Sequence, residues 1–201
     1  MLFRSHNRNL HAAQNANDER YRKRNVFGLR VAVGFVGRIF DVIGTLAKAA
    51  EKFDYQVFMM TPDKDYGQLV SDKVFMYKPA RSGNDVEILG VKEICENWQI
   101  ERVDQVIDML GLQGDAVDNI PGVKGIGPKT AATLLAQFGT IENIIANVDK
   151  LKGKQQETMR ENAEMGILSK RLATIALDVP VDFVEDKFEL SDPKKIGRAH
   201  V

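Results

Sequence analysis

The chain has 201 residues, 44% hydrophobic and 28% charged, with 28 basic and 28 acidic side chains. These values exclude disordered and collagen-like classes and allow a sizeable core in one domain or one and a half. A lone cysteine, Cys95, excludes an intramolecular disulfide. The best apolar run, Val31 to Gly37, is closed by Arg30 and Arg38 and falls well short of the ~20 residues of a membrane span, so a reduced, soluble, cytoplasmic protein without a targeting segment is expected.

The neutral total hides an asymmetry: residues 1–40 carry a net charge of +6 and residues 41–201 a net −6. Leu2-Phe3-Arg4-Ser5 and Ile196-Gly197-Arg198 can be encoded by opposite strands of one short oligonucleotide resembling a sequencing adapter. Met1–Ser5 and Ile196–Val201 are therefore expected to be non-native, the chain a fragment of a longer gene, and residues 1–40 a non-homologous extension. Within that extension Val31, Val33, Phe35 and Val36 have the spacing of a short strand.

From Asp41 the pattern becomes regular. Val42, Ile43, Leu46, Ala49, Ala50 and Phe53 recur at helical spacing, and Tyr55 to Thr61 reads as a strand stopped by Pro62. A helical turn is expected at Gly67–Val70, and strands at Lys73–Tyr77 and Val86–Leu89 across an Arg81–Asp85 turn. Helices are then expected over Val91–Trp98, Val103–Leu110, Lys129–Phe138, Ile141–Val148 and Lys154–Ser169, with Gly139 as a stop, Thr140 as a cap and Ala173–Val179 as a late strand. Phe75 and Trp98 read as core, Met59 and Met60 as the end of a buried strand, and Cys95 as inert. The expected class is α/β: a partial, parallel-type sheet with flanking helices over 41–110, a helical subdomain over 111–182, and a tail over 183–201.

Three blocks carry chemistry. In Thr61-Pro62-Asp63-Lys64-Asp65-Tyr66, two carboxylates two residues apart follow a strand, at the edge where α/β sites form, and hard cations take such paired oxygens. In Gly114-Asp115-Ala116-Val117-Asp118-Asn119, a spacing of three would put Asp115 and Asp118 on one face of a helical turn; helix capping or an Asx turn is the bland alternative. In Pro121-Gly122-Val123-Lys124-Gly125-Ile126-Gly127-Pro128-Lys129-Thr130-Ala131, glycines precede a helix, a pattern whose amides can cradle a phosphate beside Lys124 and Lys129. A Walker A loop is disfavoured, because Pro128 separates Gly127 from Lys129 and no apolar strand precedes Gly122.

The third block resembles a helix-hairpin-helix nucleic-acid module. Together with TPDKD at 61–65, GDAVDN at 114–119 and Asp41-Val42-Ile43-Gly44-Thr45, in this order from Asp41 to about Asp182, the chain resembles the 5′ nuclease (5′-3′ exonuclease, flap-endonuclease-like) domain of bacterial DNA polymerase I. The resemblance implies a phosphodiester hydrolase of replication and repair that acts on DNA with a 5′ end or flap, in a parent chain that carries polymerase domains. It implies two divalent ions, Mg²⁺ or Mn²⁺, with Asp63, Asp65, Asp115 and Asp118 as catalytic ligands and Asp41 as the last acid of a Glu-x-Asp-Asp motif. Gly122, Lys124, Gly125, Gly127, Lys129 and Thr130 would hold DNA phosphates, so recognition would be by shape rather than sequence.

The chain departs from that pattern at Arg38-Ile39-Phe40-Asp41, where Arg38 replaces a glutamate and Phe40 an aspartate. The family's first strand and arch would lie upstream, where the sequence here is unrelated. Arg38 would oppose cation binding and a sheet edge would lie exposed, so poor solubility and impaired cleavage are expected. The alternative activity is non-specific binding of duplex DNA by the hairpin alone.

Overall fold

A computed structural model describes residues 2–5, 26–28, 39–79 and 86–185. Arg38, the Val31–Val36 segment, the Arg81–Asp85 turn and most of the 183–201 tail lie outside these residues.

Among the described residues five strands form one mixed sheet: β1 (Leu2–Ser5), β2 (Val26–Gly28), β3 (Tyr55–Met60), β4 (Val74–Pro79) and β5 (Val86–Leu89), in the order β2-β1-β3-β4-β5. Only β3 and β4 run parallel, in a register that sets Val57 against Val74 and Met59 against Met76; the other pairs are antiparallel. The edge of β3 expected to be bare is covered by β1, with Phe3 opposite Val57, because a four-residue segment with free backbone groups suffices to satisfy a strand edge.

The alternation in β3 buries Tyr55, Val57 and Met59 on one face, where Val74 and Met76 continue the layer. The opposite face carries the Phe58–Phe75 stack, ring centroids 5.5 Å apart, and leaves Phe75 half-buried rather than in the core. Met60 points outward, 51% exposed, because it falls on the odd side of the alternation. Helix α1 (Ile39–Lys52) crosses β3 on Leu46, Ala47 and Ala50, and two fully buried alanines permit a close approach. Phe53, expected on the buried stripe, lies past the end of α1 and is exposed, with its ring 5.6 Å from Phe183.

The helical part comprises α2 (Val91–Trp98), α3 (Val106–Gln113), α4 (Pro128–Phe138), α5 (Ile141–Ala146), α6 (Lys154–Glu161) and α7 (Ala163–Ala173). Gly139 ends α4 at φ +83°, and Thr140 caps α5 by accepting from the Asn143 amide at 3.2 Å. Two expectations fail here. The single helix over 154–169 is broken at Asn162 into α6 and α7, and Ala173–Val179 joins no strand. The segment after α7 instead forms a strap over α1. Gly44 leaves room for Ile175 and Leu177, and Thr45 Oγ1 accepts from the Val179 amide at 3.3 Å.

Two cores result. One lies under the sheet, and the other is wholly helical around Leu112, Leu134, Leu135, Ile141, Ile144 and Met159. Helix α3 serves both, with Val106 and Leu110 in the first and Met109 and Leu112 in the second.

Candidate functional site

The first limb of the site grows from the carboxyl end of β3. Thr61 Oγ1 accepts from the Asp63 amide, and Asp63 Oδ1 accepts from the Asp65 amide, both at 3.1 Å. That pair of side-chain bonds starts a 3₁₀ turn, Lys64–Leu69, which turns Asp65 inward until it is buried.

The second limb is the chain leaving α3. Gly114, at φ +75°, ends the helix, after which Asp115 and Ile120 exchange both backbone hydrogen bonds at 2.8 and 2.9 Å and close a small loop. The expected helical turn at 115–118 is absent. Asp115 Oδ1 accepts from the Val117 amide at 2.9 Å, an Asx turn made by Asp115 itself, and the tight loop brings Asp118 round beside it.

These limbs converge. Asp65, Asp115 and Asp118 each present a carboxylate oxygen, all within 4.8 Å of one another; the first two are buried and the third is exposed. Asp65 Oδ1 is buried without a hydrogen-bond partner among the described residues. Burial, the hydrogen bond to Asp118 and the charges of Asp63 and Asp118 push the Asp65 carboxyl up to about 7, while Lys64 pulls it down. Lys64 Nζ lies 2.5 Å from Asp115 Oδ2, and that contact holds the Asp115 carboxyl below its usual range. Like-charged groups crowded at a buried point, one oxygen unanswered, form a donor set that fits a hard cation.

The other two expected acids sit apart from this trio. Asp63 shapes the turn and adds charge beside Asp65. Asp41, buried in the first turn of α1, accepts from the Ala176 amide at 2.7 Å and so anchors the strap. Phe40 stacks on Tyr66 at 5.1 Å, and burial with the charges of Asp63 and Asp41 raises the tyrosine to about 12. Tyr66 is thus a buried packing residue, 4% exposed.

The hairpin glycines divide by role. Gly122, at φ +65°, is buried; a Cβ there would lie 2.4 Å from the Gly114 nitrogen, and its amide donates to the Ser169 hydroxyl at 3.0 Å. It locks the hairpin onto α3 and α7, and with its amide committed it cannot grip phosphate. Gly125, at φ +84°, and Gly127, which precedes Pro128 at the start of α4, have open space where a Cβ would stand. Lys124 and Lys129 are exposed and Thr130 half-buried, around the amino terminus of α4. A cleft of about 580 Å³ opens beside this terminus; Lys64, Lys78, Glu87, Trp98, Pro128 and Lys129 are among its lining, and none of the three acids is.

Sequence reasoning passed over Lys64, Gln68, Ser169 and the ion pair of Lys170 with buried Asp108, 2.7 Å. Lys64 and Gln68 flank a recognised acid; Ser169 and Lys170 belong to a helix whose buried face is not apolar.

The family model described as 5′-3′ exonuclease, N-terminal resolvase-like domain, matches residues 41–99, and that described as 5′-3′ exonuclease, C-terminal SAM fold, matches residues 101–196. The chain belongs to the 5′-3′ exonuclease family. It is 44% identical over 147 residues to DNA polymerase I of Bacillus caldotenax, covering 73% of this chain and 17% of that protein. It is 41% identical over 143 residues to DNA polymerase I of Bacillus subtilis strain 168, covering 71% and 16%. The chain therefore spans about one sixth of the length of these polymerases.

Among solved structures, the T5 5′-exonuclease with bound zinc superposes with a TM-score of 0.59 at 24% identity, over 66% of this chain and 48% of that one. A T5 flap endonuclease complex with DNA and metal ions gives a TM-score of 0.58 at 24% identity, over 68% and 48%. These likenesses establish the exonuclease fold. Asp65 comes from the first family segment and Asp115 and Asp118 from the second, so the acidic trio spans the two.

Proposed function

We propose that the chain provides the metal-binding and DNA-gripping parts of a 5′ nuclease that hydrolyses phosphodiesters beside a 5′ end or flap. The observation that carries this is the convergence of Asp65, Asp115 and Asp118 within 4.8 Å around a buried, unpartnered oxygen. The setting is cytoplasmic DNA replication and repair, within a longer polymerase I chain. Among the described residues no helix is long and apolar enough to cross a membrane.

In this reading residues 41–110 and 111–182 act as nuclease core and DNA-binding subdomain. Asp65, Asp115 and Asp118 hold divalent cations, two in the complete site, Mg²⁺ or Mn²⁺, while Asp63 adds charge and Asp41 braces the scaffold. When bound, such cations generate the attacking hydroxide and stabilise the leaving oxygen. With Asp115 engaged by a cation, Lys64, which lines the cleft, would be free to meet a strand phosphate there. Gly125 and Gly127 let the backbone approach the duplex, and Lys124, Lys129 and Thr130 pair with its phosphates, setting position without reading bases.

The test is cleavage and gel shift on one labelled 5′-flap duplex, with Mg²⁺, with Mn²⁺ and with chelator. Weak cleavage, impaired by the departures at Arg38 and Phe40 and lost in chelator and in Asp118→Asn, is expected. Salt-sensitive binding without cleavage under any metal would overturn the nuclease reading and leave a hairpin that only grips duplex DNA.

A further inference from the structure

Gln68 uses its whole side-chain amide across the boundary between the two family segments. Nε2 donates to the Asp65 carbonyl and to the Ala173 carbonyl, both at 3.0 Å, and Oε1 accepts from the Ile175 amide at 2.9 Å. Asp65 belongs to the turn after β3, whereas Ala173 is the last residue of α7. Helix α7 is in turn fastened to the other limb. Lys170 packs its Cα where a Cβ on Gly111 of α3 would stand, and Ser169 receives the Gly122 amide next to Gly114.

A side chain that pins the Asp65 backbone to the scaffold of the opposing carboxylates fixes how close Asp65 stands to Asp115 and Asp118. We propose that Gln68 is a positioning residue that fixes the spacing of the metal-binding carboxylates by bolting the Asp65 turn to the carboxyl end of α7. This rests on the metal-binding reading given above. The Gln68 side-chain amide is taken up by backbone groups and adds no ligand to the acidic trio.

Methionine matches glutamine in length and flexibility and removes all three hydrogen bonds. The control is Thr45→Val, which loses the strap contacts to Val179 and Ala176 but none to Asp65. Mn²⁺ binding to the full chain without DNA is followed by the electron paramagnetic resonance of free Mn²⁺, alongside melting temperature and flap-cleavage kinetics. The expected result is Mn²⁺ affinity reduced about tenfold in Gln68→Met, in line with loss of an outer-shell partner. Thr45→Val is expected to keep wild-type Mn²⁺ affinity even where it melts as low as Gln68→Met. Cleavage by Gln68→Met falls in kcat with KM for the flap duplex within twofold of wild type, and raised Mn²⁺ restores it.

Wild-type Mn²⁺ affinity in Gln68→Met, with binding lost in Asp118→Asn, would overturn the positioning role alone. Equal losses in Gln68→Met and Thr45→Val would also overturn it, since general destabilisation would then explain both. Saturable binding absent from the wild type would overturn the metal reading and the positioning role together.

Discussion

Lys64 Nζ sits 2.5 Å from Asp115 Oδ2, so one of the protein's own cations neutralises one corner of the acidic trio. The side chain of Lys64 is half exposed while that of Asp115 is 5% exposed, so the lysine can leave and the carboxylate cannot. Removing the lysine as Lys64→Met is expected to raise cation affinity several-fold at low Mg²⁺ while slowing cleavage at saturating Mg²⁺. Titration of binding and of single-turnover rate in the same preparation reads both effects.

The proton on Asp65 gives the metal-free protein a pH dependence. The folded-state value of about 7 is above the ordinary carboxylate value, so the stabilisation is complete below the unfolded value and is lost as pH rises through about 7. The metal-free chain therefore melts at a lower temperature at about pH 8 than at about pH 6. Asp65→Asn flattens this dependence. Cation binding near neutrality releases protons from the trio, measurable by calorimetry in buffers of different ionisation enthalpy.

The hairpin glycines separate stability from binding. Gly122→Ala forces a Cβ to 2.4 Å from the Gly114 backbone at φ +65°, with nothing flexible to yield, and is expected to cost more than the roughly 1–3 kcal/mol of backbone strain alone. Gly127→Ala meets open space at ordinary φ and is expected to leave stability nearly unchanged, but it puts a methyl where the proposed function brings the duplex backbone, so weaker DNA binding is expected. Chemical denaturation and gel shift of the two variants are expected to rank them in opposite orders.

In the proposed function Lys124 and Lys129 meet phosphate only, so Lys124→Ala and Lys129→Ala are expected to weaken binding to all sequences alike. Each is expected to lower the slope of log K against log salt by about 0.9. A slope unchanged in both variants would place the duplex elsewhere.

Lys170 is the counter-charge of buried Asp108, whose carboxylate also accepts from the Ile141 amide at 2.9 Å and so seats α5. Lys170→Met leaves that carboxylate buried and uncompensated, and is expected to cost about 3–5 kcal/mol in urea unfolding. Asp108→Asn in the same background recovers part of the loss.

Strands β3, β4 and β5 and most helices were legible because their buried positions are large and apolar at regular spacing, as in Tyr55, Val57 and Met59, whereas β1 and β2 fall in a stretch read as an extension and were missed. Helix α7 was not. It buries Gly166, Ser169 and Ala173 and turns Met165, Leu168 and Leu172 outward, so its apolar periodicity points away from the surface it packs on. The Ala173–Val179 alternation reads as a strand, but it is held by side chains of α1 and by Gln68 rather than by a ladder. The identities of Asp65, Asp115 and Asp118 were readable from local blocks. Their meeting with Lys64 was not, because it depends on packing between residues some fifty positions apart.

Gln99, at φ +55°, ends α2 at the seam of the two family segments, and Trp98 and Ile100 on either side pack against both cores. Since the acidic trio draws on both segments, its geometry records how well they are docked. Warming or mild denaturant that loosens this joint is expected to part Asp65 from Asp115 and Asp118, so that affinity for the proposed cations fails before circular dichroism registers any loss of structure.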